Sequence, residues 1–322
     1  MPPTSASHVP GLLDSGFPLP LDVPFTFAQA VARGVTPHRL RRLEGAGLVR
    51  RLLKGVYVVA QAPDGILLRA RALSLVVPHT GVVVDETAWW FWTSLLPSGS
   101  HEGVPPLQVF HRHRHARLRN ELCVSGSRTF RPSDIARVEG VNVSTPLRTG
   151  LDLGRLLHRD RAIGALDSLL RHGSFTRQEL LTGVERFRGM RGVRQLRDLA
   201  PVADPRAESP GESTLRLRWL DLPSLPVPEP QVSIRAGGVE VYRIDLGVTG
   251  LRYGCEYDGV AFHLDAAADA RRREDLRVRF GWDVEGVGRR QVFGPSRDVE
   301  QVLSAGIRRA RARAGAPTTY PE

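Results

Sequence analysis

The residues whose types and spacing best suit chemistry lie in one stretch, 239–263, VEVYRIDLGVTGLRYGCEYDGVAFH. Val239, Val241, Tyr242 and Ile244 form a β-branched and aromatic run that predicts a strand ending at Asp245. GVTG predicts a turn, and Leu251 to Tyr257 a second strand. Strand side chains alternate between faces, so Glu256 and Asp258 share one side, and Cys255 and Tyr257 the other. If the strands pair as a hairpin, Asp245 joins Glu256 and Asp258. Three converging carboxylates suit a hard divalent cation, Mg²⁺ or Mn²⁺, with Asp245 and Glu256 as ligands. His263, five residues beyond Asp258, is placed to shuttle a proton. The alternative is a set of solvated acids on an exposed hairpin. A self-repelling acidic cluster inside a strongly basic chain favours the cation.

This segment resembles the PD-(D/E)XK nuclease superfamily, most closely the branch of the very-short-patch-repair (Vsr) endonucleases. Asp245 ends one strand, Glu256-Tyr257-Asp258-Gly259 matches an E-[FY]-D-G signature, and His263 follows. Upstream, ESPGESTLRLRWL offers the helix glutamate of such nucleases, Glu212. Downstream, DARRREDLRVRFGWDVEGVGRRQVF matches an arginine-rich helix and a final strand. The resemblance covers residues 207–314 and implies divalent-metal-dependent cleavage of DNA. It gives Glu212, Asp245, Glu256, Asp258 and His263 as catalytic residues and Arg272, Arg273, Arg277 and Arg279 as phosphate contacts. One departure matters: the superfamily's lysine, two positions after the second acid, is replaced by Asp258. Catalysis then needs His263 or an arginine in its place, or the domain has kept DNA affinity and lost cleavage.

The elements that position this site belong to a chain of 322 residues, long enough for two or three domains. Its hydrophobic share of 41% fits a folded protein rather than a disordered one. The net charge of +11 points to a polyanionic partner, DNA. Of 45 basic Lys and Arg residues, all but Lys54 are arginines, whose planar fork suits phosphate and guanine. Two cysteines, Cys123 and Cys255, are too few for a disulfide framework or a zinc site, and a reducing cytoplasm is the expected compartment. No apolar run approaches a membrane span, and no signal peptide is apparent.

Residues 25–62 read as a winged helix-turn-helix. Phe25, Phe27, Ala28 and Val31 suggest a short helix ending at Gly34. Thr36 caps a second helix with Pro37 at its first position, and Leu40 and Leu43 face a core. His38, Arg39, Arg41 and Arg42 stay outside, suited to a major groove. Arg50, Arg51 and Lys54, on a hairpin turning at Lys54-Gly55, can reach phosphates. The alternative is a helical module with a solvated basic face. GVTPHRLRRLEGAGLVRRLLKGVYVV resembles the N-terminal domain of AbiEi-type antitoxins of type IV toxin–antitoxin systems. That resemblance implies repression of the protein's own operon and a toxin partner.

The expected fold class is α/β, a multidomain α+β chain. It has an N-terminal winged helix-turn-helix, an α/β middle region, and a C-terminal restriction-endonuclease-like mixed sheet flanked by helices. The expected boundaries are a flexible leader 1–24, the winged unit 25–62, a middle domain 63–200, a Pro-rich linker 201–210, the nuclease-like domain 211–314 and a tail 315–322. In the middle domain the aromatic cluster Trp89, Trp90, Phe91 and Trp92 reads as core rather than a base-stacking platform. The run His111 to Arg119 reads as a phosphate-contacting or solvated edge, since its arginines would repel a metal. The wording VSTPLRTGLDL also recurs in AbiEi-like proteins, and Arg148 and Asp152, four apart, read as a structural ion pair.

Overall fold

The computed structural model describes residues 12–95, 104–105, 107–112, 123–259, 266–293 and 298–315. Contacts divide the chain into two units, Met1–Asp152 and Leu153–Glu322.

The first unit begins with β1 (Phe25–Thr26), α1 (Phe27–Ala32), α2 (Pro37–Gly45), β2 (Val49–Leu53) and β3 (Val56–Val59). Thr26 and Gln29 form a reciprocal capping box at the start of α1. Thr36 accepts the Arg39 amide, and Pro37 opens α2, as the spacing predicts. Lys54-Gly55 turns β2 into β3, with Gly55 at φ +81°, where a side chain would be strained. The antiparallel order β1-β3-β2 completes a winged helix-turn-helix. Phe25, Ala30, Val35, Leu40, Val49 and Val59 form its core. Phe17 and Leu19 are buried in that core as well, so this part of the stretch read as a flexible leader is packed.

The same unit continues through α3 (Ile66–Ser74), β4 (Val82–Val83), α4 (Asp85–Thr93), β5 (Leu107–His111), β6 (Cys123–Ser127), β7 (Ile135–Val138), β8 (Val141–Ser144) and the first part of α5 (Pro146–Leu156). The strands form a mixed sheet of order β6-β5-β4-β8-β7. Trp89, Trp90 and Phe91 are buried, so the aromatic cluster is core. Trp92 donates its indole N–H to the Ser144 carbonyl at 2.8 Å. Of the His/Arg run, residues 113–119 lie outside the described residues.

The VSTPLRTGLDL segment builds a buried charge network. Arg148 donates to Asp152 at 2.7 Å and to Asp134 at 2.6 Å. Arg128 grips both oxygens of Asp85, at 2.6 and 2.8 Å, and reaches Asp152 at 3.0 Å. Buried charges persist only when paired and hydrogen-bonded. The ion pair read from the four-residue spacing is therefore one link of a larger tie between α4, α5 and the strands.

In the second unit, α6 (Arg159–His172), α7 (Arg177–Val184) and α8 (Val193–Leu199) precede α9 (Pro210–Leu220). Thr176 and Glu179 form the capping box that their spacing predicts. The Pro-rich stretch 201–210 lies inside this unit, where Ala203 and Ala207 are buried and the Asp204 amide donates to Asp167 at 2.8 Å. Then follow β9 (Glu229–Ala236), β10 (Val239–Val248), β11 (Tyr253–Asp258), α10 (Ala266–Phe280), β12 (Asp283–Gly288), α11 (Arg289–Phe293) and α12 (Asp298–Gly315).

The sheet order is β12-β11-β10-β9, antiparallel except for the parallel β11–β12 pair. Leu215 and Trp219 of α9 and Val299, Leu303 and Ile307 of α12 pack with Leu246, Tyr253, Cys255 and Val287. Leu276 of α10 packs with Val232, Ile234, Ile244 and Val284. Helices thus flank a mixed sheet, as the sequence predicts. Strand β10 runs three residues past Asp245, to Val248, because Leu246 and Val248 continue the apolar alternation into the core.

The buried network predicts a large stability effect. Arg148→Ala leaves Asp134 and Asp152, exposed by only 2% and 1%, short of a cation. Urea unfolding is expected to show a loss of about 3–5 kcal/mol. A loss within experimental error would remove the network from any role in holding this unit together.

Candidate functional site

A cleft of about 450 Å³ opens in the second unit. Its wall carries Glu212 from α9, Asp245 from β10, and Glu256 and Asp258 from β11. Four of the five predicted catalytic residues therefore line one cavity. The fifth, His263, lies outside the described residues.

Local geometry explains the convergence. Leu246 pairs with Cys255 across β10 and β11, so the next step along each strand sets Asp245 opposite Glu256, on one face. The Tyr257 amide donates to Asp245 Oδ2 at 2.8 Å and fixes the carboxylate. Glu212 stands in the first turn of α9, where its own amide donates to the Ser209 hydroxyl at 3.1 Å. A Cβ at Gly211 would overlap the Tyr257 ring. Glycine thus lets the start of α9 lie close to β11 and brings Glu212 to the acids.

Sequence reasoning missed Gln231. This residue sits within β9 at φ +57°, a left-handed conformation that a non-glycine residue adopts at a strain of roughly 1–2 kcal/mol. Its side-chain amide donates to Glu212 Oε2 at 2.8 Å, an oxygen that also accepts the Glu208 amide at 2.8 Å. No pattern in the sequence marks this turn within a strand.

The arginines of α10 face inward more than the sequence implies. Arg272 holds both oxygens of Glu256, at 2.5 and 2.6 Å, and also donates to the Arg243 carbonyl at 3.1 Å. Its guanidinium lies 5.6 Å from the centre of the Tyr242 ring. Arg273 reaches Asp258 at 3.2 Å, and Gly286 on β12 makes room, since a Cβ there would overlap both groups. Arg277 pairs with Glu274 at 2.7 Å, and Arg279 with Asp275 at 3.0 Å. The last two pairs are legible as three- and four-residue spacings on a helix. The first two join residues 16 and 15 positions apart and need the fold.

The lining residues bring six carboxylates (Glu208, Glu212, Asp245, Glu256, Asp258 and Asp269) against three guanidinium groups (Arg243, Arg272 and Arg273). Asp245 takes the strain: burial, then the charge of Glu212 and more weakly that of Glu256, push its pKa up to about 7. Burial also raises the pKa of Glu212, against the hydrogen bonds it accepts. Cys255, fully buried behind the sheet, has its thiol pushed well up by burial and is inert. As for a resident Mg²⁺, the donor set does not fit. Both oxygens of Glu256 are taken by Arg272, and among the described residues no group of three His, Cys, Asp or Glu side chains could hold a metal ion.

In the winged unit, His38, Arg39, Arg41 and Arg42 are exposed on α2, and Lys54 is exposed at the hairpin turn. Arg50 and Arg51 are half-buried. Arg50 donates to the Ala62 carbonyl at 2.9 Å, and Arg51 lies 3.4 Å from Glu44. The helix therefore offers free guanidinium groups, while these two wing arginines also brace the unit.

Two stretches of the chain match families of known proteins. Residues 23–60 match the family described as transcriptional regulator, AbiEi antitoxin. Residues 81–202 match the AbiEi antitoxin C-terminal domain. These two stretches are thus similar to AbiEi-antitoxin domains, the first of them over the winged helix-turn-helix. It is also similar to uncharacterized proteins of Mycobacterium tuberculosis from strains CDC 1551 and H37Rv. Each is 36% identical over 148 residues, covering 46% of this chain and 52% of the relative. The chain spans about half the length of these curated relatives. No helix among the described residues is long and apolar enough to cross a membrane.

The raised Asp245 carboxyl has a signed consequence. Its folded pKa of about 7 lies above the ordinary 3.8, so its stabilisation is fully present below pH ~4 and is lost as pH rises through about 7. In metal-free buffer Asp245→Asn is expected to match the wild type near pH 4 and to be more stable by ~4 kcal/mol near pH 8.5. Thermal melts across that range check this. A stability difference that does not grow with pH would show that Asp245 is ordinary.

Proposed function

We propose that this protein is a DNA-binding transcriptional regulator of the AbiEi antitoxin type, with a C-terminal Vsr-like, PD-(D/E)XK-fold domain that does not cut DNA. The winged unit supports this reading most directly. A Pro-initiated, Thr-capped helix presents His38, Arg39, Arg41 and Arg42 outward, in the stretch that matches the regulator family. Such a helix enters the major groove, and Lys54 on the wing reaches the backbone. Cleavage lacks support at the acids: Arg272 closes off Glu256, and Asp258 stands where the superfamily has its lysine. The AbiEi resemblance carries with it a toxin partner, which co-purification with the product of a neighbouring gene would identify.

One observation favours the rival reading, a Mg²⁺- or Mn²⁺-dependent endonuclease. Glu212, Asp245, Glu256 and Asp258 share one cleft, where burial, then the charge of Glu212, lifts Asp245 to about 7. Residues there would then bind the ion, with His263 as proton carrier.

A single preparation separates the two. Gel shift with the DNA upstream of the protein's own gene is expected to give a discrete complex. Arg39→Ala with Arg42→Ala is expected to weaken it by roughly 10-fold or more, with a shallower salt dependence, since fewer counterions are released. Incubation of the same protein with duplex, single-stranded and mismatched DNA in Mg²⁺ or Mn²⁺ is expected to leave the DNA intact. Cleavage that disappears in both Asp245→Ala and Glu256→Ala would establish the endonuclease instead.

A further inference from the structure

The crowded cleft poses a question that the missing metal set sharpens: what neutralises Glu256 beside a strained Asp245? Arg272 does. Its fork covers both Glu256 oxygens at 2.5 and 2.6 Å, a bidentate pair that already neutralises the charge a second cation would need. Asp245 and Asp269 act on the same guanidinium, whose pKa is raised first by its hydrogen bonds to Glu256. The guanidinium has two further contacts, and its helix is anchored. The Arg243 carbonyl accepts from it at 3.1 Å, the Tyr242 ring lies 5.6 Å away, and α10 is packed on the sheet through buried Leu276. A side chain so braced is a fixed part of the site rather than a mobile surface arginine.

We propose that Arg272 is a covalently tethered cation, held on Glu256 in the cleft it shares with Asp245, and that it keeps this chain from taking up a divalent ion there. The inference rests on the non-cutting reading above and gives that reading its physical cause. Two cations cannot share the pair. A divalent ion entering beside Arg272 would meet its full positive charge and would have to strip the fork from Glu256 first. Removing the guanidinium reverses the balance. Glu256 then regains two free oxygens next to Asp245 and Glu212, and hard cations favour such oxygen clusters.

The experiment uses the full-length chain and Mn²⁺ as the probe, read by electron paramagnetic resonance of the free ion and by thermal melting. The wild type is expected to bind no Mn²⁺ tightly at this cleft. Arg272→Ala is expected to bind one ion per chain at least about tenfold more tightly than the wild type, and to melt higher when Mn²⁺ is added. Arg272→Ala combined with Asp245→Asn is expected to lose that ion. If Arg272→Ala does not fold, Arg272→Gln keeps most of the side chain's length without its charge and serves in its place. A wild type that binds Mn²⁺ as tightly as the variant overturns the proposal. So does a folded variant that binds none. Neither result bears on DNA binding by the winged unit, which the gel shift reads. Cleavage by the wild type, read separately on DNA, would overturn the non-cutting reading itself.

Discussion

Like charge held close together is the constraint that the second unit's design answers. Asp245 and Glu256 are neighbours because antiparallel pairing of β10 with β11 sets them opposite one another. Glu212 joins them because Gly211 lets α9 press against Tyr257. Three carboxylates at that spacing cannot all stay ionised without donors or a cation. The site answers with a backbone amide on Asp245, the Gln231 and Glu208 donors on Glu212, and a guanidinium on each of Glu256 and Asp258. Asp245 has one hydrogen-bond donor, the Tyr257 amide, and only the weaker pull of Arg272 against burial and two negative neighbours. That is why the proton returns to it at about pH 7.

The supporting features are local and specific. Gln231 holds a left-handed backbone inside a strand, and the hydrogen bond it makes to Glu212 is the identifiable return for that strain. Gly286 keeps β12 bare where Arg273 crosses to Asp258. Behind the sheet, Tyr253 donates to Glu285 at 2.5 Å, and Arg309 of α12 grips the same carboxylate at 2.5 Å. The acids on the cleft side are thus carried by strands whose far side is tied to a long helix. Such bracing limits the freedom of Asp245 and Glu256 to move apart, and leaves their repulsion to be met by charge.

Much of this was legible in the sequence, and the limit is instructive. Periodicity gave the strands around Asp245 and Glu256, the helix of Glu212, the capped helix at Thr36 and the turn at Lys54-Gly55. Each of these is set by neighbours within a few residues. The Arg148–Asp152 pair was legible for the same reason, whereas its extension to Arg128, Asp85 and Asp134 joins residues far apart in the chain. The inward turn of Arg272 and Arg273 was hidden by a similar separation. In sequence they belong to a basic run, RRRED, that reads as a phosphate-binding face. Only the placement of α10 over the sheet, through Leu276, aims them at Glu256 and Asp258.

That inward turn also bears on where affinity for DNA can reside. A net charge of +11 says that a polyanion is welcome, but not which arginines remain to meet it. On α10, Arg272, Arg273, Arg277 and Arg279 are each paired with a carboxylate, so a phosphate would have to compete with an acid already in contact. On α2, His38, Arg39 and Arg42 stand exposed on a short, capped helix. Counterion release rewards the groups that gain a phosphate without losing a partner. By that reasoning the winged unit is the better placed to meet a phosphate backbone, and the acid-lined cleft, six carboxylates against three guanidinium groups, disfavours one. With Arg272 holding Glu256, the same acids work against nucleic acid rather than for it.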